Sequence, residues 1–68
     1  MRFKVGDTPV IRNDLKVGLT YGSNDVTEEM VDFCGVRVTV SSIVGSETKE
    51  YTIEEDGDTW FWTDEMFE

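Results

Sequence analysis

The 68-residue chain contains no histidine, no alanine, one proline and one cysteine. Without histidine it lacks the commonest general base and metal ligand near neutral pH, and a Ser–His triad at Ser41 or Ser42 is excluded. Cys34 alone cannot form an internal disulfide. No apolar run approaches the ~18 residues of a spanning helix. The opening Met1-Arg2-Phe3-Lys4 turns polar at Gly6-Asp7, unlike a signal-peptide core. Together these readings give the expectation of a cytoplasmic protein. Positive charge is also scarce: six Lys and Arg stand against fifteen Asp and Glu, for a net charge of −9. That balance argues against direct binding to nucleic-acid phosphates and against docking on an anionic membrane. A domain this small has little room for a substrate pocket of ~300 Å³ or more. No enzymatic activity and no cofactor are expected.

What is present suits a sheet. The chain holds nine Val, three Ile, eight Thr and eight aromatic rings. β-branched and aromatic residues pack well on a pleated surface, whereas the missing alanine is the best helix former. A domain of about 60 residues buries only ~60% of its unfolded surface. Each buried ring contributes roughly 150–250 Å² to that total. The composition therefore predicts one mainly β domain over residues 1–68, a compact barrel or tight sandwich with at most one short helix.

Along the chain, Phe3 and Val5 alternate with Arg2 and Lys4, and Gly6-Asp7 marks a turn. Val10-Ile11-Arg12 reads as a strand with Pro9 at its start or on an edge. Residues 13–25 lack a sustained period and read as a long excursion, with Leu15, Val17, Leu19 and Tyr21 tucked intermittently against the barrel. Residues 27–33 read as a helical segment capped by Asp25 or Thr27 and ended by Gly35, with Val26, Met30 and Phe33 facing the core. Val36, Val38 and Val40 point one way in the clearest strand, which continues to Ile43-Val44 with a bulge near Ser41-Ser42. Gly45-Ser46 suits a hairpin turn. Tyr51 and Ile53 then face inward, Asp56-Gly57 signals a second hairpin, and residues 59–62 form the next strand. Thr63-Asp64-Glu65 starts a last short helical turn, with Thr63 capping it and Met66 and Phe67 closing one end of the barrel.

The run Val5-Gly6-Asp7, Val10-Ile11-Arg12-Asn13-Asp14-Leu15-Lys16-Val17-Gly18, Tyr21-Gly22, Met30, Gly35-Val36-Arg37-Val38-Thr39-Val40, Tyr51-Thr52-Ile53, Asp56-Gly57 and Trp60-Phe61-Trp62-Thr63-Asp64-Glu65-Met66-Phe67 resembles a group of small uncharacterised proteins of phages and prophages of Gram-positive bacteria. The resemblance spans nearly the whole chain, and its most specific part is the closing Trp-x-Trp-Thr-Asp-Glu-Met string. More loosely, the same skeleton is similar to Mib/Herc2-type SH3-like barrels. The resemblance implies an SH3-like barrel of about five antiparallel strands, with one short helix in the long loop region and a short C-terminal helical turn. It implies a phage or prophage origin and carries no activity.

Two surfaces stand out as candidate sites. Trp60 and Trp62 share one face of their strand and Phe61 takes the other. Either the tryptophans are core and Phe61 is exposed, or Phe61 is core and the tryptophans form a platform. Small barrels use exposed aromatics to bind proline-rich peptides or cations. The first expectation is a protein- or peptide-binding module with a groove formed by Tyr21, Trp60 and Trp62. The partner would be a host or phage protein. The second surface is acidic. Residues 45–68 carry Lys49 alone against nine carboxylates, a net −8, while residues 1–44 carry −1. Glu50, Glu54, Glu55, Asp56, Asp58, Asp64 and Glu65 would form a face that either solubilises the protein or mimics nucleic acid to inhibit a host DNA-binding or defence protein.

Other features have simpler readings. Residues 54–58 lack the ligand order of a calcium loop and read as a turn. Cys34 reads as a small core residue, and Arg12 and Asp14 as an ion pair fixing the loop. A monomer or weak homo-oligomer is expected, with the acidic edge a poor interface between copies.

Overall fold

The computed structural model describes residues 2–45 and 49–68. Among the described residues the chain is mainly strand and coil with few helices, and holds two small antiparallel sheets. In the first, β1 (Thr20–Tyr21) pairs with β2 (Asn24–Asp25). In the second, β3 (Val40–Val44) pairs with β4 (Glu50–Ile53). One helix, α1 (Glu28–Val31), and two 3-10 turns, Glu54–Asp56 and Asp64–Met66, complete the elements.

Local chemistry explains these boundaries. The Thr27 hydroxyl accepts the Met30 N–H at 3.3 Å, so Thr27 rather than Asp25 caps α1. The chain then turns through Gly35, whose φ of +78° ends the segment. The helix is shorter than expected, with 32–35 as turn rather than helix. Ser41 is the extra residue of a β-bulge, because Val40 opposes Ile53 while Ser42 opposes Thr52. The hydroxyls of Ser42 and Thr52 hydrogen-bond across the ladder at 2.6 Å.

Further extended segments join through isolated bridges. Trp62 exchanges both backbone hydrogen bonds with Tyr51, at 2.7 and 2.8 Å. Val38 N–H donates to Pro9 O and Ile11 N–H to Val36 O, so residues 36–40 lie beside 6–11. Arg12 N–H donates to Met66 O and Glu68 N–H to Val10 O, which sets 66–68 on the other side of 10–12. The core lies between these segments, with Ile11, Val38, Val40, Tyr51, Ile53, Trp62 and Met66 all fully buried.

Several sequence expectations are corrected. Residues 2–5 form no ladder, because Gly6 at φ +92° and the Asp7 N–H on Lys4 O turn the chain, leaving Val5 exposed. Val36 is 40% exposed while Val38 and Val40 are buried, because it sits at the mouth of the turn leaving Gly35. Val17 and Leu19 are exposed, whereas Leu15 is buried. In place of a two-residue hairpin at Asp56-Gly57, the chain makes a 3-10 turn followed by two left-handed residues, Gly57 and Asp58. Residues 59–61 carry no ladder, since Asp56 takes two of their N–H groups. The Gly45-Ser46 turn falls partly outside the described residues.

Tyr51 pins three parts of the chain. Its ring is buried against Phe3 and Phe67, its hydroxyl donates to Asp64 Oδ1, and the Phe3 N–H donates to that hydroxyl at 3.2 Å. Burial, and then the Asp64 carboxylate, push the phenol above its ordinary value. A raised folded-state value means that its contribution to stability is fully present below the ordinary ~10 and is lost as pH rises through the folded-state value. Tyr51 is therefore expected to ionise late and together with unfolding in an ultraviolet alkaline titration, and Tyr51→Phe should remove that step. The same variant should lower stability by about 1–2 kcal/mol in urea, since Asp64 and the Phe3 N–H lose their partner.

Candidate functional site

Strand alternation sets the aromatic surface. Pairing with Tyr51 turns the Trp62 indole into the core at 0% exposure, against Phe33 and Phe67. Its Nε1–H donates to Asp56 Oδ2 at 3.0 Å. Trp62 therefore cannot line a groove, which corrects that part of the expected site. Trp60 is half-buried, packed on the core from outside, and Phe61 is 44% exposed. Of the two alternatives for this segment, Trp62 inside and Phe61 outside is the one adopted.

The excursion that carries Tyr21 folds against the same segment. Asn24 Nδ2 donates to Phe61 O at 2.8 Å, and the Thr63 hydroxyl donates to Tyr21 O at 2.7 Å. The β1–β2 hairpin thus covers the outer margin of 61–63. Its turn needs Gly22: φ is +68°, and a Cβ there would lie 3.3 Å from Thr63 Cβ. Gly22-Ser23 is a two-residue hairpin signal with glycine first, which the expectation of a loop without period missed. Thr63 opens the last 3-10 turn but makes no capping bond, because its hydroxyl is engaged by the hairpin.

Tyr21 itself is half-buried and held by its own loop. The Arg12 guanidinium lies over its ring at 5.6 Å, and the Lys16 N–H donates to its hydroxyl at 3.1 Å. Among the described residues, the rings of Tyr21 and Trp60 form no stacked or edge contact. Arg12 meets Asp14 in a two-pronged pair, with both N···O distances 2.9 Å, and donates a third bond to Glu65 O. The hydrogen bond from Arg12 holds the Asp14 carboxyl below its ordinary range. Beside this pair is an open hollow of about 440 Å³, lined by Arg12, Asn13, Asp14, Phe67 and Glu68. The Arg12 guanidinium is engaged on one side by Asp14, and Phe67 supplies an apolar part of the lining.

The acidic candidates divide into two sets. Asp56 accepts from the N–H groups of Thr59 and Trp60 and from the Trp62 indole. Glu55 accepts from the Thr39 N–H at 2.8 Å and the Thr39 hydroxyl at 3.0 Å. Burial pushes the Glu55 carboxyl up, but hydrogen bonds from Thr39 and from its own N–H outweigh it and hold the group below its ordinary range. Asp64 accepts from Tyr51, and Glu50 from Ser23 at 3.2 Å. The carboxylates of Glu54, Asp58 and Glu65 accept no hydrogen bond from the described residues. Sequence reading grouped all seven as one face, because the partners that Thr39, Tyr51 and Ser23 provide to Glu55, Asp64 and Glu50 lie 13 to 27 residues away and carry no local signal.

Cys34 is half-buried with a free thiol. Among the described residues, no helix is long and apolar enough to cross a membrane. Set against models of known protein families, curated proteins and solved structures, the chain matches none.

Proposed function

We propose that this protein is a small non-enzymatic phage or prophage accessory protein, an SH3-like barrel that binds a protein or peptide through the aromatic surface around Phe61. The serial pairing supports the barrel: Trp62 beside β4, β4 beside β3, 36–40 beside 6–11, and 10–12 beside 66–68. The 3-10 turn Asp64–Met66 joins the last segment back to the first. The observation that carries the binding reading is Phe61, a large ring 44% exposed on a segment whose backbone is held by Asn24 at Phe61 O and by Tyr51 at Trp62. Exposing a ring in a chain with so little apolar surface forgoes burial that would stabilise it, unless a partner covers it. The surface consists of Phe61, the outer part of Trp60 and the adjoining β1–β2 hairpin.

The acidic-decoy reading is weaker, because Glu55, Asp56 and Asp64 serve the fold and Glu50 is engaged. Partner capture from host lysate at low and high salt separates the two. Exposed charges are screened beyond ~8–10 Å at physiological ionic strength. Capture through Phe61 is expected to survive high salt, to fall at least tenfold in Phe61→Ala and to be unchanged when Glu54, Asp58 and Glu65 are neutralised together, a loss of ~1.4 kcal/mol or more for the ring. Capture that vanishes in salt and in the neutralised variant, but persists in Phe61→Ala, would replace this reading with the decoy.

A further inference from the structure

We propose that residues 2–5 are a displaceable strap, and that the cleft it fills beside Tyr51 and Phe67 docks a partner-protein segment in which arginine is followed directly by an aromatic residue. This site stands apart from Phe61 and does not rest on the reading given to that surface. The strap itself shows how such a segment sits. Phe3 lies edge-on to Tyr51 and to Phe67, with ring centroids 5.8 and 5.3 Å away. Its N–H donates to the Tyr51 hydroxyl at 3.2 Å. The Arg2 guanidinium donates to Glu68 O at 3.0 Å, to Phe67 O at 3.1 Å and to Asp64 O. Phe67 O is open to it because Ile11 and Phe67 oppose each other as a non-bonded pair. The flanking bonds, Arg12 N–H to Met66 O and Glu68 N–H to Val10 O, turn the Phe67 groups away from 10–12. Oxygens spread around one planar fork suit a guanidinium rather than the point charge of a lysine. The same guanidinium lies 4.8 Å from the Phe3 ring centre, so the arginine and the ring next to it enter as one stacked unit.

The walls of the cleft are held without the strap. Tyr51 is fixed by its two backbone bonds to Trp62 and its pairing with Ile43, and residues 66–68 by their bonds to 10–12. The strap joins no ladder. Beyond Arg2 and Phe3 it has a local turn, in which Asp7 N–H donates to Lys4 O and Lys4 N–H to the Asp7 carboxylate. Phe3 is half-buried, and Arg2, Lys4 and Val5 are exposed. A segment with few buried contacts and no ladder opens at low free energy. Charge favours the same ligand. Residues 64–68 carry Asp64, Glu65 and Glu68 and no Lys or Arg. Arg12, which reaches Glu65 O, is neutralised by Asp14. The cleft that Arg2 leaves therefore attracts another cation.

The probe is the peptide acetyl-Arg-Phe-Lys-amide, with acetyl-Phe-Arg-Lys-amide as the control for order. In the double variant Arg2→Ala/Phe3→Ala the first peptide should bind with a millimolar Kd and shift the ring protons of Tyr51 and Phe67 in nuclear magnetic resonance spectra. The control should bind about tenfold or more weakly. So should the first peptide to the wild type, about tenfold or more, because only the fraction with an open strap accepts it. No shift in the millimolar range, or equal binding of the two peptides, overturns the proposal. Should the double variant fail to fold by circular dichroism, the wild type decides. Excess of the first peptide should then speed amide hydrogen exchange at Phe3, whose N–H loses Tyr51, and leave Trp62 unchanged. Unchanged exchange at Phe3 overturns the proposal. A wild-type dimer that the peptide dissociates would give the cleft to a second copy's strap, and overturns the partner segment as occupant.

Discussion

Trp62→Ala is expected to destabilise the chain more than Asp56→Ala or Tyr51→Phe does. Removing a fully buried large ring costs about 3–5 kcal/mol, the transfer loss and the cavity together. Here the loss is compounded, because Trp62 packs edge-on against Phe33, tilts against Phe67 and satisfies Asp56 through its indole N–H. Domains are stable by roughly 0.05–0.15 kcal/mol per residue, or ~3–10 kcal/mol at this length. A single substitution therefore removes from about a third of the total, at the upper bound, to all of it at the lower. Trp62→Phe separates the causes: it keeps most of the apolar volume and loses the indole hydrogen bond, and should cost about half as much. Urea unfolding followed by circular dichroism gives both values. Near-wild-type stability of the alanine variant would mean that the core is not centred where Trp62 sits.

The same residue shows what the sequence could and could not convey. Period-2 alternation put Trp60 and Trp62 on one face and Phe61 on the other, yet composition could not say which face is inside. The choice is made by the Tyr51 pairing and by a hydrogen bond from the indole to a carboxylate six residues earlier. The bulge near Ser41-Ser42, a cap at Asp25 or Thr27, the inward Tyr51 and Ile53, and the buried Met66 and Phe67 were legible, because each depends on local pattern. Asp56-Gly57 misled for the converse reason. Its dipeptide favours a two-residue hairpin, but the Asp56 carboxylate gains more by collecting three donors than the backbone gains from continuing a ladder. The β1–β2 hairpin went unseen because two-residue strands leave no period. Its seat on 61–63 comes from Asn24 and Thr63, residues ~40 positions apart that only the fold brings together.

Asp56→Ala tests that last argument and ties stability to the proposed surface. One half-buried carboxylate accepts from Thr59 N–H at 3.1 Å, Trp60 N–H at 3.3 Å and Trp62 Nε1–H at 3.0 Å. Alanine orphans all three donors, and the indole has no route to water because the ring is fully buried. Hydrogen bonds to a charged acceptor are worth about 1.5–3 kcal/mol each when broken singly. They share one acceptor and do not add fully, so a loss of about 2–4 kcal/mol is expected. Asp56→Asn keeps one acceptor oxygen but turns an amide toward a donor, and should fall between. Loss of the low-field shift of the Trp62 indole proton would report the broken bond directly. Because Asp56 also holds the N–H groups just before Phe61, the alanine variant should weaken partner capture in step with Phe61→Ala even where it stays folded at low temperature. Under the decoy reading, Asp56 would instead matter as charge alone, and Asp56→Asn would weaken capture as much as Asp56→Ala does.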